Sequence, residues 1–301
     1  MGNPRMADEG LCRLDVTVAR EASISRSEAA RWIAAGRVSV EGHVAATRSM
    51  LVAPATPIHI AQGIEPPSGG PGGDAPALEI VYQDSSFVVV NKKAGMVVHP
   101  ARGHSGVTLT ELLVAQGVAL AGGAPERPGV VHRLDRYTSG LVMFSCTPEA
   151  YTSLAAQLAA HTARRTYWVL VEGRLDEDLC IEAPVGRDPV HRHRMSVGAH
   201  GREARTWIYV RERLQRATLL EARLDTGRTH QIRVHMSAIG HPVVGDTTYG
   251  AANRGGIGRL ALHALKLELK HPVTAEMCML EATVPDELVN LLVKARQGEA
   301  V

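Results

Sequence analysis

Residues Gly63 to Ala77 read GIEPPSGGPGGDAPA, a run rich in proline and glycine with no hydrophobic period. A segment of this kind buries too little apolar surface to offset the entropy of ordering it, so no core can run through it. It is expected to divide the 301-residue chain into a short module at 11–62, a flexible linker at 63–77 and a large domain at 78–301. Elsewhere the composition is that of a folded protein. Hydrophobic residues make up 45% of the chain and charged residues 21%, but only 4% are aromatic, so aliphatic packing must carry the cores.

The formal net charge of +2, from 33 Lys and Arg against 31 Asp and Glu, is too small by itself to demand a polyanionic partner. Its distribution says more: Arg164 and Arg165 are adjacent, and the stretch from Arg187 to Arg205 adds Arg192, Arg194, Arg202 and several histidines. Such clusters suit phosphates or a solvated face, and composition does not separate the two. Cys12, Cys146, Cys180 and Cys278 lie far apart with no paired spacing, which signals neither a zinc knuckle nor a disulfide framework. No apolar signal core opens the chain, and no apolar run approaches the ~20 residues that span a bilayer. The expectation is a cytoplasmic protein with reduced thiols and no membrane partner, and nothing demands more than a monomer.

Within 11–62, Ser25 and Glu28 have the spacing of a capping box, and Ala30, Ile33 and Ala34 then form one apolar helical face that Gly36 ends. A strand at Val38–Val40, a turn at Glu41 and Gly42, and another strand near Ile58–Ile60 follow. The run SRSEAARWIAAGRVSVEG resembles the alpha-L RNA-binding motif shared by a small-subunit ribosomal protein and some tRNA synthetases. The resemblance implies a helix face laid against RNA, with Arg26, Arg31 and Arg37 able to meet phosphates; an ordinary exposed helix surface is the plain alternative.

In 78–301, β-rich runs at Phe87–Asn91, Val130–Val131, Leu141–Phe144, Tyr167–Val171, Leu219–Leu224 and Met277–Val284 read as strands. Helices are expected at Thr108–Gln116, Pro148–Ala160 and Thr229–Ile239, the last ended by Gly240 and Pro242. This order predicts an α+β domain with a mixed, mostly antiparallel sheet and a central cleft, beside a small α+β module.

Two segments carry more polar groups than their local structure needs. In VVHRLDRYTSGLVMFS, residues 130–145, two apolar runs flank a turn holding His132, Arg133, Asp135, Arg136, Thr138 and Ser139. An Asp that only organises its own loop is the bland reading, but a simple turn needs far fewer polar groups. In DTGRTHQIRVHM, residues 225–236, a strand meets a helix N-terminus whose amides favour an anion. Arg228 at that junction suits either a structural pair with an acid or a substrate phosphate. The paired carboxylates of ordinary glycoside hydrolysis and the spacing of metal ligands are both missing, so residue types alone stop at an RNA-binding site with one poised acid.

The runs HRLDRYTSGL, RRTYWVLVEG, TGRTHQIRVHM, GHPVVGDTTYG and LALHALKLELKHP occur in the order seen in RluA-type pseudouridine synthases, across nearly all of 78–287. With the N-terminal module, the arrangement is similar to the RluD-like branch, which modifies large-subunit ribosomal RNA. The resemblance implies that Asp135 is the catalytic carboxylate, which detaches uracil from ribose and lets it rejoin through carbon without metal or cofactor. It implies that Arg228 pairs with that aspartate and favours its charged form, and that Tyr167 stacks on the extruded base. Arg133 would fill the hole left in the helix, and His132 and Thr138 are assigned with it to RNA contact and base flipping. Whether Asp135 attacks the sugar, attacks the ring or removes a proton stays open at this stage.

Other polar features read as scaffold. The HRHR run at His191–Arg194 mixes histidines with cation-repelling arginines, which disfavours a metal. His132, His230 and His235 are more natural as hydrogen-bonding supports than as acids or bases, and Asp246 in GDTTYG as a loop organiser. Two departures from the family pattern stand out: NKKAG at 91–95 has Lys93 where proline is usual, which should loosen the loop, and Cys146 replaces a lysine, which weakens one RNA contact. Two other function classes compete: a non-catalytic RNA-binding or ribosome-assembly protein, which the alpha-L-like module and basic segments would suit, and a metal-dependent nuclease, for which the sequence shows no ligand set.

Overall fold

The computed structural model describes residues 12–22, 24, 26–34, 38–41, 43–44, 50–53, 56–60, 78–100, 106–191, 194–250 and 257–301. The expected linker lies outside the described residues, as do Ser25, Gly36, Arg37, Gly42, Arg192 and His193. The chain divides into two compact units, Met1–Ala75 and Pro76–Val301.

The first unit runs β1 (Cys12–Arg13), α1 (Leu14–Glu21), α2 (Arg26–Ala34), β2 (Val38–Val40), β3 (His43–Val44), β4 (Leu51–Val52) and β5 (Ile58–Ile60). Strand β2 is flanked antiparallel by β3 and β5, and β1 pairs β4. Leu14 and Val18, one helical turn apart, bury one side of α1 against Ala29, Ile33, Val38, Val40 and Val52. Helix α1 was not anticipated, because its apolar stripe is only two residues deep and its partner face comes from α2. Asp15 in its first turn is 5% exposed and accepts hydrogen bonds from Arg13 and Arg26; the Arg13 bond, more than any other group, holds its carboxyl below the usual range.

The second unit contains β6 (Glu79–Gln83), β7 (Phe87–Lys92), α3 (Leu109–Ala115), β8 (Ser139–Ser145), α4 (Pro148–Ala159), β9 (Arg164–Glu172), β10 (Leu179–Glu182), β11 (Val185–Arg187), β12 (Met195–Val197), β13 (Arg205–Arg213), β14 (Ala217–Leu224), α5 (Gln231–Ala238), β15 (Leu262–Lys270), β16 (Met277–Glu281) and α6 (Asp286–Arg296). Nine strands form one sheet in the order β10-β13-β14-β9-β15-β8-β7-β6, with β16 on β15. Every pairing is antiparallel except β15 with β8, so the sheet is mixed and mostly antiparallel. Strand β8 is buried at every residue, as its unbroken SGLVMFS run requires of a strand covered on both faces. Helix α3 starts from a complete Thr108–Glu111 capping box, and α4 from Thr147 with Pro148 in its first turn.

Some expected elements shrink. Val130–Val131 is not a strand; only an isolated bridge from Val130 to Phe144 forms. The last strand stops at Glu281 rather than Val284, and α5 starts at Gln231 because His230 before it takes the left-handed conformation, φ 57°.

One row of residues across the sheet positions the polar turn. Ala264 of β15 pairs with Gly140 of β8 on one side and Tyr167 of β9 on the other. A side chain at Gly140 would put its Cβ 2.3 Å from the Ala264 carbonyl oxygen, and its φ of +109° also demands glycine. The close approach brings the turn entering β8 beside Tyr167.

Candidate active site

Asp135 lies in that turn with its side chain 17% exposed. Its Oδ2 is 3.1 Å from Nη1 of Arg233, on the first turn of α5. The rest of the Arg233 guanidinium forks onto Asp246: Nε donates to one oxygen at 2.7 Å and Nη2 to the other at 2.9 Å. Asp246, with a fully buried side chain, also accepts the backbone N–H groups of Thr248 and Tyr249. Burial works against the Arg233 charge, but the bonds to Asp246 and Asp135 outweigh it and hold the guanidinium above its ordinary pKa. Behind it, the Tyr249 ring lies 5.0 Å from the guanidinium carbon and the Tyr249 hydroxyl accepts the Met195 N–H.

The arginine paired with Asp135 is therefore Arg233, not Arg228 as the sequence motif implied. Arg228 precedes the helix, and its Nε donates to the Glu203 carbonyl at 2.9 Å. Its position is set by Gln231, whose side-chain oxygen accepts the Arg228 N–H while its amide donates to Arg205 O and the Thr206 hydroxyl. TGRTHQIRVHM contains both arginines; the left-handed His230 starts the helix late enough that Arg233 is the one aimed at the turn. Had Asp246 been read as a partner seeking a cation, Arg233 could have been found. Asp246 is a loop organiser, as expected, and also the clamp on that cation.

His230 Nε2 lies 3.8 Å from Asp135 Oδ1, and its Nδ1 bonds the Tyr249 hydroxyl. Burial holds this imidazole below its ordinary pKa against the pull of Asp135, so at neutral pH it is a neutral neighbour and not a counter-ion. His132 supports the strand beside it: Nε2 accepts the Met143 N–H at 3.2 Å, Nδ1 is buried without a partner among the described residues, and burial pushes the ring down to about 3, while the residue also lines a cavity with Arg133 and Asp135. His235 is likewise structural, fully buried between the Thr206 hydroxyl and the Ala183 carbonyl.

A residue that residue types did not single out is Lys92, the second residue of NKKAG. It is 1% exposed, and its Nζ donates to the carbonyls of Lys93, Met96 and Arg136 at 3.0, 3.0 and 3.1 Å. Three carbonyls match the three protons of an ammonium, while burial pushes the amine down to about 7 and Asp135 pulls it back up. Arg136 follows Asp135, so Lys92 fixes the turn that carries Asp135 from beneath. Gly95 and Arg136 are also joined by two hydrogen bonds, which pin the loop that Lys93 was expected to loosen.

Three adjoining cavities, of about 490, 50 and 370 Å³, all have Arg133 and Asp135 in their walls. Arg133 is exposed at this rim. Tyr167 is 5% exposed, part of the core yet lining the two cavities that also hold Arg228; burial pushes its hydroxyl pKa up, so it is a neutral phenol. Thr138 has a buried hydroxyl with no partner in the smallest cavity. Of the N-terminal arginines, Arg26 is tied to Asp15 but stays 59% exposed, Arg31 sits on α2, and Arg37 lies outside the described residues. From HRHR, Arg194 stacks 5.6 Å from the Tyr249 ring, a structural contact behind the site.

Comparison with known proteins places this arrangement. Residues 86–238 match the RNA pseudouridylate synthase family and residues 12–56 match the S4 domain. The chain is 39% identical over 276 residues to ribosomal large subunit pseudouridine synthase D of Nitrosomonas europaea, covering 89% of this chain and 79% of that one. It is 40% identical over 296 residues to the protein of the same name in Pseudomonas aeruginosa, covering 91% and 88%. Among solved structures, human RNA pseudouridylate synthase domain containing 1 superposes with a TM-score of 0.57 at 28% identity, over 71% of this chain and 86% of that one. With an Asp–Arg–Asp chain set beside a tyrosine at the centre of such a sheet, the chain belongs to the RNA pseudouridylate synthase family and is a pseudouridine synthase carrying an N-terminal S4 domain.

Proposed function

We propose that this enzyme converts specific uridines of large-subunit ribosomal RNA to pseudouridine in the cytoplasm, with Asp135 as the catalytic carboxylate. The observation that carries the assignment is the Asp135–Arg233–Asp246 chain in the wall of cavities shared with Tyr167. The ribosomal target is supported by the named activity of relatives similar along most of the chain. Among the described residues no helix is long and apolar enough to cross a membrane.

A uridine in a folded RNA hides its reacting atoms in the stack, so it must be swung out before chemistry. Arg133 takes up the vacated position, a role supported by its exposure at the rim of three cavities that Asp135 also lines. Asp135 then meets the displaced nucleotide as a charged oxygen already oriented by Arg233, so little reorganisation accompanies the reaction. The bond from ribose C1′ to N1 breaks, a bond from C1′ to C5 forms, C5 gives up its proton and N1 gains one. Atoms and electrons balance, so no redox partner enters. Tyr167 supplies a face for the uracil and a neutral hydroxyl near it, and the orphan Thr138 hydroxyl is available to bond the substrate. Arg228 lines the cavity as a substrate contact. On the S4 domain, Arg26, Arg31 and Arg37 contribute phosphate contacts that select the RNA.

The test is to map pseudouridines in ribosomal RNA from cells with and without the gene, and to treat unmodified RNA with the purified chain. Sites that vanish on deletion and reappear in vitro are expected in the large-subunit RNA. Identical maps, with no conversion in vitro, would refute the assignment.

A further inference from the structure

The buried cations around the site differ in one respect. Lys92 has three carbonyls, Arg233 two carboxylates, and Arg259 the Glu287 carboxylate with the Ser139 hydroxyl. Arg165, 7% exposed on β9, has none of these: its Nε is buried without an acceptor, and among the described residues nothing hydrogen-bonds or ion-pairs with its guanidinium. Burial disfavours its charge, and Tyr167 and Asp225 act against that only through space. A guanidinium taken from water and left unpaired is destabilising, and a well-packed apolar side chain would serve the strand better.

Its location suggests what completes it. Arg165 and Tyr167 alternate along β9 and so point to the same face. Both line the cavity of about 370 Å³ whose wall also contains Arg127, Arg133, Asp135 and Arg228, four cationic side chains with Arg165 around one carboxylate. The neighbouring turn leaves room for the guanidinium: a Cβ at Gly227 would lie 2.7 Å from Arg165 Nη1.

We propose that Arg165 is the buried anchor for a backbone phosphate flanking the target uridine, binding it in the cavity it shares with Tyr167, Arg228 and Asp135. The inference rests on the proposed reaction and adds to it the group that registers the RNA strand. Phosphate contacts position a strand without reading its sequence, and a planar fork is suited to hold a phosphodiester by two bonds. The surface arginines add affinity from solvent, whereas Arg165, already desolvated, fixes one phosphate relative to the reacting sugar.

The test uses the full chain, the variants Arg165→Met and Gly227→Ala, and a folded RNA that the wild type modifies. Arg165→Met is expected to melt at or above the wild-type temperature, because it removes an unpaired buried charge. Its RNA affinity should fall by about 10-fold or more, and the slope of log Kd against log salt should become shallower by about one. Gly227→Ala, which displaces the guanidinium without changing charge, should lose affinity in the same direction. RNAs with a single neutral methylphosphonate 5′ or 3′ of the converted uridine complete the cycle: one linkage should weaken wild-type binding and leave Arg165→Met unaffected. A lowered melting temperature of Arg165→Met with unchanged salt slope, or equal methylphosphonate effects in both proteins, would overturn the inference. If the wild type converts no uridine at all, it is the proposed function that fails, a result read directly from the unmodified control.

Discussion

Two buried arginines flank the turn that carries Asp135 and are treated in opposite ways. Arg233 sits between Asp135 and Asp246, held by three hydrogen bonds to carboxylates, and its geometry is complete before any RNA arrives. Arg165 is equally buried, at 7% exposure for both residues, but among the described residues it has no such partner. On the proposed reaction and phosphate anchor, the difference separates two tasks. A group that orients the reacting carboxylate must be fixed in advance, because orientation acquired during the reaction adds to the barrier. A group meant for the substrate must keep its hydrogen-bonding capacity free, at the expense of stability.

Substitution should break the two sides differently. Arg233→Met leaves two carboxylates without their cation, one of them fully buried, and is expected to destabilise the protein by about 3–5 kcal/mol. Pseudouridine formation should fall with it by at least about 100-fold; urea unfolding and single-turnover conversion measure the two losses. Arg233→Lys should recover little, since an ammonium cannot fork onto Asp246 while reaching Asp135. A well-folded, active Arg233→Met would mean that the clamp is incidental.

Next in size is Lys92→Met, which removes the donor to three carbonyls under the turn. Leaving them unsatisfied should cost about 2–3 kcal/mol, read from the shift in urea midpoint at constant slope. Tyr167→Phe keeps the ring and removes only the hydroxyl, so RNA affinity should hold while conversion slows by about 100-fold. Arg133→Ala should weaken productive extrusion, seen as roughly 10-fold slower conversion of a helical substrate than of one in which the uridine is already unpaired. Equal rates on both RNAs would remove Arg133 from that role.

The smallest effect is in the acid limb of stability. Burial pushes His132 down to about 3 and His263 down to about 4, from an ordinary 6.5. In the unfolded chain both rings take a proton near 6.5, so below that value the unfolded state binds more protons than the folded one. Stability should therefore decline as pH falls from about 6.5 toward 3, and His132→Gln should flatten the slope by up to about one proton. An unchanged slope would show that His132 is solvated in the folded protein.

Much of the fold was legible because periodicity and capping are local. The cap residues Thr108 and Thr147, the unbroken apolar run of β8 and the alternating β14 announce themselves within a few residues. What escaped depends on partners distant in sequence. LHALKLELK becomes β15 because it lies between β8 and β9, with Ala264 meeting Gly140 and Tyr167, a register that no local pattern contains. The choice between Arg228 and Arg233 failed for the same reason: it turns on a left-handed His230 and on the buried Asp246, neither visible as such in the motif. Lys92 was not singled out because its three acceptors are backbone atoms from two separate loops, which no side-chain pattern announces. Asp135, Tyr167 and Arg133, singled out by the polar excess of a turn and by the order of motifs, share the walls of two cavities, because those signals are properties of the sequence itself.

The central claim is that one carboxylate, fixed by Arg233, acts on a uridine displaced from its helix. Asp135→Asn tests it most directly, since the amide preserves shape and removes the charge. Measured on a folded RNA that the wild type modifies, the variant should bind with affinity within a few-fold of wild type and form no detectable pseudouridine. Conversion at a rate near that of the wild type would contradict the account.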